Sequence, residues 1–228
     1  MADEEKQPLT RDQMAAVLAQ HIGSGWIVNL GIGIPTLVSN FLYPEQEITL
    51  HSENGVIGYG RVAGEGEEDP DTVNASAVTA VTLDPGAAIV HHADSFAVIR
   101  RGMVDVTCLG AYEVAPDGSF ANWKTTDDEW AHLGGIGGAM DLAACAKQVY
   151  LAMEHTTRDG QPRLLEKCNL PVTAPSGVTL VVTNLAVVAV RDGKFVLEQH
   201  APGYSAEEIQ AVTGAPLEVS PDFRRVSV

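Results

Sequence analysis

The sequence predicts an α/β fold, a single domain with a mixed, largely parallel β-sheet flanked by helices. Strand-like and helix-like hydrophobic patterns alternate before residue 171, which is typical of α/β proteins. Beyond Pro171 the chain is rich in Val and Thr, and the apolar runs at 178–182 and 185–190 indicate strands covered on both faces. A chain of 228 residues, 45% of them hydrophobic, can form one substantial core. We expect one domain over residues 1–228, with residues 1–9 as a disordered tail.

The first predicted element is a helix. Thr10 and Gln13 form a capping-box pattern at its start, Met14 and Leu18 belong to its apolar stripe, and Gly23 marks its end. The elements that follow are a strand at 26–30, a turn at 31–35, a helix at 36–42 and a strand at 47–51. The chain therefore begins with a helix and a β-α unit.

An acidic segment without hydrophobic periodicity follows at 61–71, and we expect a mobile loop there. Residues 84–86 (DPG) have the composition of a turn. Before residue 171 the remaining elements are a helix at 94–101, a strand at 104–109, a glycine-rich loop at 134–138, a helix at 139–146 and a strand at 148–153. The two strands at 178–182 and 185–190 come next. A hairpin turn at 192–193 then leads into a strand at 194–197, and a helix with a capping box follows at 205–214.

The charge balance opposes several classes of partner. The chain has 14 Lys and Arg residues against 30 Asp and Glu, a formal charge of −16 that disfavours nucleic acid and anionic membranes. An anionic ligand would need local donors, such as backbone N–H groups, Arg61, Lys124 or Lys147, to offset this field.

The cysteines, the N-terminus and the apolar runs bear on where the protein resides, and the cysteines indicate a reducing compartment. Cys108, Cys145 and Cys168 are odd in number and lack C-x-x-C spacing, so we expect free thiols and no structural zinc. The acidic N-terminus does not resemble a signal peptide, and no apolar run approaches the roughly 20 residues of a membrane span. We expect a cytoplasmic protein.

Glu53 is the main candidate for chemistry. It lies in the string 52–55 (SENG), where the strand predicted at 47–51 enters a glycine-containing turn. In open α/β sheets, ligands bind beyond the carboxyl ends of the strands, so this carboxylate can face a substrate. We interpret Glu53 as a nucleophile, although a lone turn carboxylate is more often simply solvated.

Other candidates have a structural interpretation beside the functional one. Asn54 can bond within its own turn or contact a ligand. Gly31 and Gly33 favour tight strand-to-helix packing, because no third glycine completes a dinucleotide fingerprint. His91 and His92 lack further metal ligands at a recognisable spacing, which favours a helix start, and no metal is proposed.

Six ordered motifs carry a resemblance to a known family. They are residues 29–35 (NLGIGIP), 52–55 (SENG), 93–96 (ADSF), 121–123 (ANW), 137–142 (GGAMDL) and 170–173 (LPVT). Together they resemble the beta, or B-type, subunit of class I 3-oxoacid CoA-transferases, which is the glutamate-bearing half of these enzymes. Each motif alone is weak, whereas their order along most of the chain is specific.

The resemblance implies a mechanism and a set of site residues. Glu53 would attack an acyl-CoA thioester and become a glutamyl-CoA thioester in a ping-pong reaction, with CoA as a substrate and no permanently bound cofactor. Gly137 and Gly138 would supply oxyanion donors. Contacts to substrate or CoA are assigned to Asn54, Gly55, Gly31, Gly33, Ala139 and Met140.

The resemblance also implies a partner, the alpha (A-type) subunit, in a heterotetramer that exchanges CoA between an acyl-CoA, such as succinyl-CoA, and a carboxylic acid. His51, the acidic residues at 65–69 and the residues at 91–94 resemble the 3-oxoadipate branch more than the acetoacetate branch. Arg61, Ser76 and the acidic residues at 127–134 depart from the usual pattern. Two alternatives remain, a non-catalytic ligand-sensing module of the same architecture and an acyl-CoA hydrolase.

Overall fold

A ten-stranded sheet forms the centre of the molecule, as seen in a computed structural model that describes residues 5–75, 79–125 and 137–228. The helices are α1 (Arg11–Gln20), α2 (Ile34–Leu37), α3 (His92–Arg100), α4 (Ala139–Cys145) and α5 (Ala206–Ala211). The strands are β1 (Ile27–Leu30), β2 (Thr49–His51), β3 (Val56–Val62), β4 (Val81–Ile89), β5 (Val106–Gly110), β6 (Glu113–Val114), β7 (Phe120–Ala121), β8 (Gln148–Met153), β9 (Val178–Thr183), β10 (Ala186–Arg191), β11 (Lys194–His200) and β12 (Leu217–Arg225).

The strand order places a parallel region in the middle of the sheet. The order is β12-β11-β10-β9-β8-β5-β1-β2-β3-β4, and β6 pairs separately with β7. Neighbouring strands from β9 to β2 are parallel, β10 is antiparallel to both of its neighbours, and so is β3. The predicted mixed, largely parallel sheet with flanking helices is confirmed. Consequently, the carboxyl ends of β1, β2, β5 and β8 meet at one edge, where ligands of such sheets bind.

Hydrophobic cores cover both faces of the central strands. On β5, Cys108 packs into the cluster that contains α1, whereas Leu109 packs into the opposite cluster beneath α3 and α4. On β8, Tyr150 and Leu151 divide in the same way. This two-sided burial explains why these strands are continuous apolar runs in the sequence.

Both predicted capping boxes are present. The Thr10 hydroxyl accepts from Gln13 N at 3.2 Å, and Thr10 N donates to the Gln13 side chain at 2.9 Å. Ser205 and Glu208 make the equivalent pair of bonds at the start of α5. The segment expected to be a disordered tail makes contacts near its end, where the buried Leu9 donates its N–H to Asn184 O at 2.7 Å.

Two N-terminal element boundaries differ from the prediction. The helix expected at 36–42 is a short α2 followed by a 3₁₀ turn at Val38–Phe41. The strand expected from residue 47 begins at Thr49, because a 3₁₀ turn at Pro44–Gln46 ends with Glu47 in the left-handed conformation, φ 51°. Neither shift moves Glu53 away from the end of β2.

The predicted turn at 84–86 is wrong, since these residues lie within β4. At these turn-forming residues the pairing between β3 and β4 is interrupted. Leu83 pairs with Tyr59 and Ala88 with Ile57, so residues 84–87 bulge out, with Gly86 at φ 95°.

Several strands were not predicted, namely β3, β4, β6, β7 and β12. The acidic loop expected at 61–71 begins two residues late, because Arg61 and Val62 belong to β3. Within the described ranges, no helix is both long enough and apolar enough to cross a bilayer.

Candidate active site

Glu53 occupies the turn that follows β2, at the edge where parallel strands end. Its side chain is partly buried rather than freely solvated. Gly55 closes this turn by donating its N–H to Ser52 O at 3.0 Å. The turn therefore delivers one carboxylate to the edge of the sheet, as the sequence suggested.

A buried amide holds one oxygen of this carboxylate. Asn29, fully buried on β1, donates from Nδ2 to Glu53 Oε2 at 3.1 Å and to His51 O at 3.1 Å. The Thr107 hydroxyl on β5 donates in turn to Asn29 Oδ1 at 3.1 Å. Because Asn29 pairs with His51 on one side and with Thr107 on the other, the three strands together fix the amide and the carboxylate.

The other oxygen faces the start of α4. A Cβ atom placed on Gly138 would lie 2.8 Å from Glu53 Oε1, 3.1 Å from its Cγ and 3.2 Å from Phe96 Cζ. This backbone approach is possible only without a side chain. Gly138 is also the N-cap of α4, where the N–H groups of the first helical turn have no acceptor inside the helix. The carboxylate thus lies beside backbone that can present hydrogen-bond donors.

Helix α3 supports this glycine. The Phe96 ring packs near Gly138, and the Arg100 guanidinium lies 5.2 Å from the centre of the same ring. Arg100 Nε also donates to Asp141 Oδ1 of α4 at 2.7 Å. These contacts tie α3 to α4 directly behind Gly138.

His51 lies beneath the Glu53 turn and is fully buried. Its Nε2 lies 3.0 Å from Ser95 Oγ, and that hydroxyl donates to Ser52 O at 2.9 Å. Since the hydroxyl proton is used in that bond, we assign the ring proton to Nε2. Burial, partly offset by the Ser95 carbonyl and by Glu53, lowers the pKa of His51, so the ring is neutral and acts as a fixed support.

Asn54 and Gly55 organise the turn itself. Asn54 Nδ2 donates to Val73 O at 2.8 Å, so the structure uses this side chain to hold a neighbouring loop. Gly55 has φ 110°, and a Cβ atom there would lie 2.1 Å from Val90 O. Both residues position Glu53, and neither lines the cavity described next.

A cavity of about 570 Å³ opens at this edge of the sheet, lined by Glu53 and by the segments that follow β1, β5 and β8. Of the residues assigned to catalysis or to contacts with substrate, Gly31, Gly137, Gly138 and Ala139 also line it. Gly33, Asn54, Gly55 and Met140 are not part of the lining. Gly31 also packs tightly, since a Cβ atom there would lie 3.0 Å from Cys108 O, so the packing interpretation holds for it as well.

Sequence reasoning missed two groups of residues. Asn29 and Thr107 could have been found as polar residues within predicted apolar strands. Arg11 and Arg163 also line the cavity. Arg11 carried a weak signal, a cation in the first turn of a helix, where acidic residues are favoured. Arg163 carried none.

The cations suggested from sequence do not line the cavity. Arg61 pairs with Glu67 at 2.8 Å and Lys147 with Asp105 at 2.6 Å, and the lining of the cavity includes neither them nor Lys124.

The structure agrees with the helix-start interpretation of His91 and with the free thiol expected of Cys108. His91 Nδ1 accepts from Ala93 N at 3.1 Å and caps α3, as expected of a helix start. Cys108 is fully buried in the core, and burial raises the pKa of its thiol to about 12. Among the described residues, no group of three His, Cys, Asp or Glu side chains could hold a metal ion.

Comparison with known proteins places this geometry in a family. Residues 11–211, which include Glu53 and Gly138, match the family described as coenzyme A transferase. The chain belongs to the coenzyme A transferase family. The resemblance inferred from the motifs is thereby confirmed.

Curated members of the coenzyme A transferase family match over most of this chain. The B-type subunit of the 3-oxoadipate CoA-transferase from Acinetobacter baylyi is 41% identical over 210 residues, covering 92% of this chain and 95% of the relative. The human mitochondrial succinyl-CoA:3-ketoacid coenzyme A transferase 2 is 38% identical over 224 residues, 97% of this chain but only 43% of the relative. This family member thus corresponds to a whole subunit in one relative and to part of a longer chain in the other.

The fold of this coenzyme A transferase family member is also found in solved structures. An acyl-CoA transferase from Escherichia coli O157:H7 superimposes with a TM-score of 0.70 at 19% identity, over 98% of this chain and 45% of the other. At that identity the comparison supports the α/β architecture alone.

Proposed function

We propose that this chain is the glutamate-bearing subunit of a CoA-transferase that moves CoA from an acyl-CoA, such as succinyl-CoA, to a 3-oxo acid, 3-oxoadipate or acetoacetate. Glu53 carries CoA between the two half-reactions. The observation that supports this most is the placement of Glu53 in the cavity, with Oε2 bonded to Asn29 and Oε1 against the Gly138 backbone.

The first half-reaction is an acyl exchange on Glu53. A carboxylate oxygen attacks the thioester carbonyl, and collapse of the tetrahedral oxyanion expels the CoA thiolate and leaves a mixed anhydride. The thiolate then attacks the glutamyl carbonyl and expels the donor acid as its carboxylate. The products are a glutamyl-CoA thioester and a free acid, with no net gain or loss of protons or electrons.

The second half-reaction reverses these steps with a different acid. The carboxylate of the acceptor attacks the glutamyl thioester, the thiolate leaves, and it then attacks the acceptor carbonyl of the new anhydride. Glu53 is regenerated and the acceptor departs as its CoA thioester. Since both half-reactions conserve the thioester, water must be kept from the intermediates.

The residues around Glu53 fit distinct roles in these steps. Asn29 restricts the carboxylate to one orientation, which supplies the alignment that a weak nucleophile needs. Amides at Gly138 and the first turn of α4 are suited to stabilise the oxyanion. A donor of this kind contributes on the order of 3 kcal/mol to lowering a barrier.

A partner chain completes the proposal. The relative from Acinetobacter baylyi is named as one lettered subunit of its enzyme, which implies an A-type counterpart, and the human relative has more than half of its length outside the match. We infer that an alpha subunit covers the open side of the cavity and excludes water, in a heterotetramer.

The test is detection of the covalent intermediate. The chain is co-expressed with its alpha subunit, incubated with succinyl-CoA without acceptor, and digested for mass spectrometry. We expect a CoA adduct on the Glu53 peptide that borohydride removes by reduction, and no adduct in Glu53→Gln. Glu154→Gln, which alters another carboxylate of the same cavity, should keep the adduct.

Two results would contradict the proposal. Unchanged transfer by Glu53→Gln would remove this residue from the nucleophile role. Steady release of free CoA without acceptor would instead indicate a hydrolase.

A further inference from the structure

The cavity that holds Glu53 has two arginines in its lining, Arg11 from the start of α1 and Arg163 from the segment after β8. Glu154 lies in the same lining. None of the ion pairs within 4.0 Å among the described residues joins Glu154 to either arginine. The carboxylate therefore does not neutralise either guanidinium by direct contact.

These two arginines differ from others in the chain. Arg61, Arg100 and Arg191 form ion pairs with Glu67, Asp141 and Glu198, respectively. For Arg11 and Arg163, the described part of the chain provides no such ion pair. In a protein of formal charge −16, carboxylates are abundant, so two unpaired guanidinium groups on one cavity are suited to bind an anion that arrives with the ligand.

The backbone of Arg163 is held firmly while its side chain is left available. Arg163 N donates to His155 O at 3.1 Å, and its carbonyl accepts from Val114 N at 3.0 Å. On the other side of the cavity, Arg11 Nη2 would lie 3.6 Å from a Cβ atom on Gly33, which places the guanidinium beside the turn between β1 and α2. Both cations thus project from ordered backbone.

We propose that Arg11 and Arg163 form an anion-recognition site that binds a charged group of the substrate away from the reacting carbonyl. This inference rests on the proposed CoA-transferase function. Two substrate groups carry the required chemistry, the distal carboxylate of a dicarboxylic acid and the phosphates of CoA. In either case the arginines determine specificity and leave the reacting carbonyl to Glu53.

The experiment uses two pairs of substrates: the acceptors differ in one carboxylate, and the donors differ in the phosphorylated nucleotide part of CoA. Transfer by the co-expressed complex is measured with 3-oxoadipate against 3-oxohexanoate as acceptor, and with thioesters of CoA against those of pantetheine as donor. The variants are Arg11→Gln, Arg163→Gln and Arg163→Lys. Arg158→Gln is the control, because it makes the same charge change at an exposed residue outside the cavity lining.

We expect each Gln variant to lower kcat/KM roughly 10- to 100-fold for the member of one pair that carries the additional anionic group, and less than about 3-fold for the member that lacks it. The pair that shows this difference identifies the anion. Arg163→Lys should recover part of the loss, and Arg158→Gln should behave as the unmodified protein. The assignment would be overturned if the Gln variants lowered kcat/KM equally for both members of each substrate pair, or did not lower it at all.

A binding measurement separates this inference from the proposed function. Adipate should raise the Tm of the chain more than hexanoate does, or CoA more than pantetheine, and either difference should vanish in Arg163→Gln. Absence of both differences in the unmodified chain overturns the anion site. Absence of a Glu53 adduct in the complex overturns the transferase mechanism and leaves the binding result to decide about the arginines.

Discussion

Replacing Gly138 with Ala tests whether the position of the Glu53 carboxylate controls activity. Gly138 has φ −88° and ψ 4°, which lies in a region open to residues other than glycine, so the backbone tolerates the change. The added methyl group, however, would lie 2.8 Å from Glu53 Oε1. To reach an ordinary contact, the oxygen must move by at least about 0.5 Å.

The expected loss in the rate of adduct formation follows from the geometry that covalent catalysis requires. A displacement of about 1 Å in a reacting group can cost on the order of 100-fold in rate, so we expect Gly138→Ala to slow adduct formation on Glu53 by roughly 10- to 100-fold. The Asn29 bond resists the movement, since it holds Oε2 at 3.1 Å. The free energy of unfolding should change by less than about 1 kcal/mol, because the carboxylate can yield.

Gly137→Ala provides the contrast. Gly137 has φ 48°, which costs an alanine roughly 1–2 kcal/mol, yet a Cβ atom there would meet no atom of the described residues within 4 Å. We therefore expect Gly137→Ala to lose more stability and Gly138→Ala to lose more adduct formation. Urea unfolding and single-turnover mass spectrometry measure the two quantities. Adduct formation in Gly138→Ala at the rate of the unmodified complex would refute the steric argument.

Two further predictions concern electrostatics. Asn29→Asp places a second carboxylate next to Glu53 Oε2. Repulsion between the two carboxylates should raise one pKa of the pair, so the rate of adduct formation should depend on pH near neutrality. A pH profile like that of the unmodified complex would contradict this. Burial lowers the pKa of His155 to about 4, below its unfolded value of 6.5, so its stabilisation is complete above pH 6.5 and is lost as the pH falls toward 4. Between pH 7 and pH 5 the free energy of unfolding should fall by about 2 kcal/mol through His155. In urea unfolding, His155→Gln should show a smaller fall, because glutamine does not titrate. Equal falls in the two proteins would exclude His155 as the cause.

The elements that bear the site were predictable because local signals and tertiary demands agree there. The capping box at Thr10, the apolar strand before Gly31 and the glycine-containing turn after β2 each have one structural solution. Glu53 could be placed for the same reason. Its bond to Asn29 could not, because that contact depends on the pairing of β1 with β2.

The outer strands were missed because their sequences lack a burial pattern. β12 alternates irregularly between partly buried and exposed residues, and β4 contains the turn sequence at 84–86. An edge strand packs against one neighbour only, so long-range pairing rather than local preference determines it. Arg163 was missed for a related reason, since its place on the cavity follows from the path of the chain after β8.

The interrupted ladders of the two outermost strands bear on how the protein avoids aggregation. In β12, Val219 pairs with Leu197 and Arg224 with Gln199, so a stretch that includes Pro221 leaves the ladder much as residues 84–87 do in β4. A foreign strand that approached either border would meet N–H and C=O groups out of step with its own, and at Pro85 and Pro221 no N–H at all. The sheet is therefore protected at both ends against fibril-like extension.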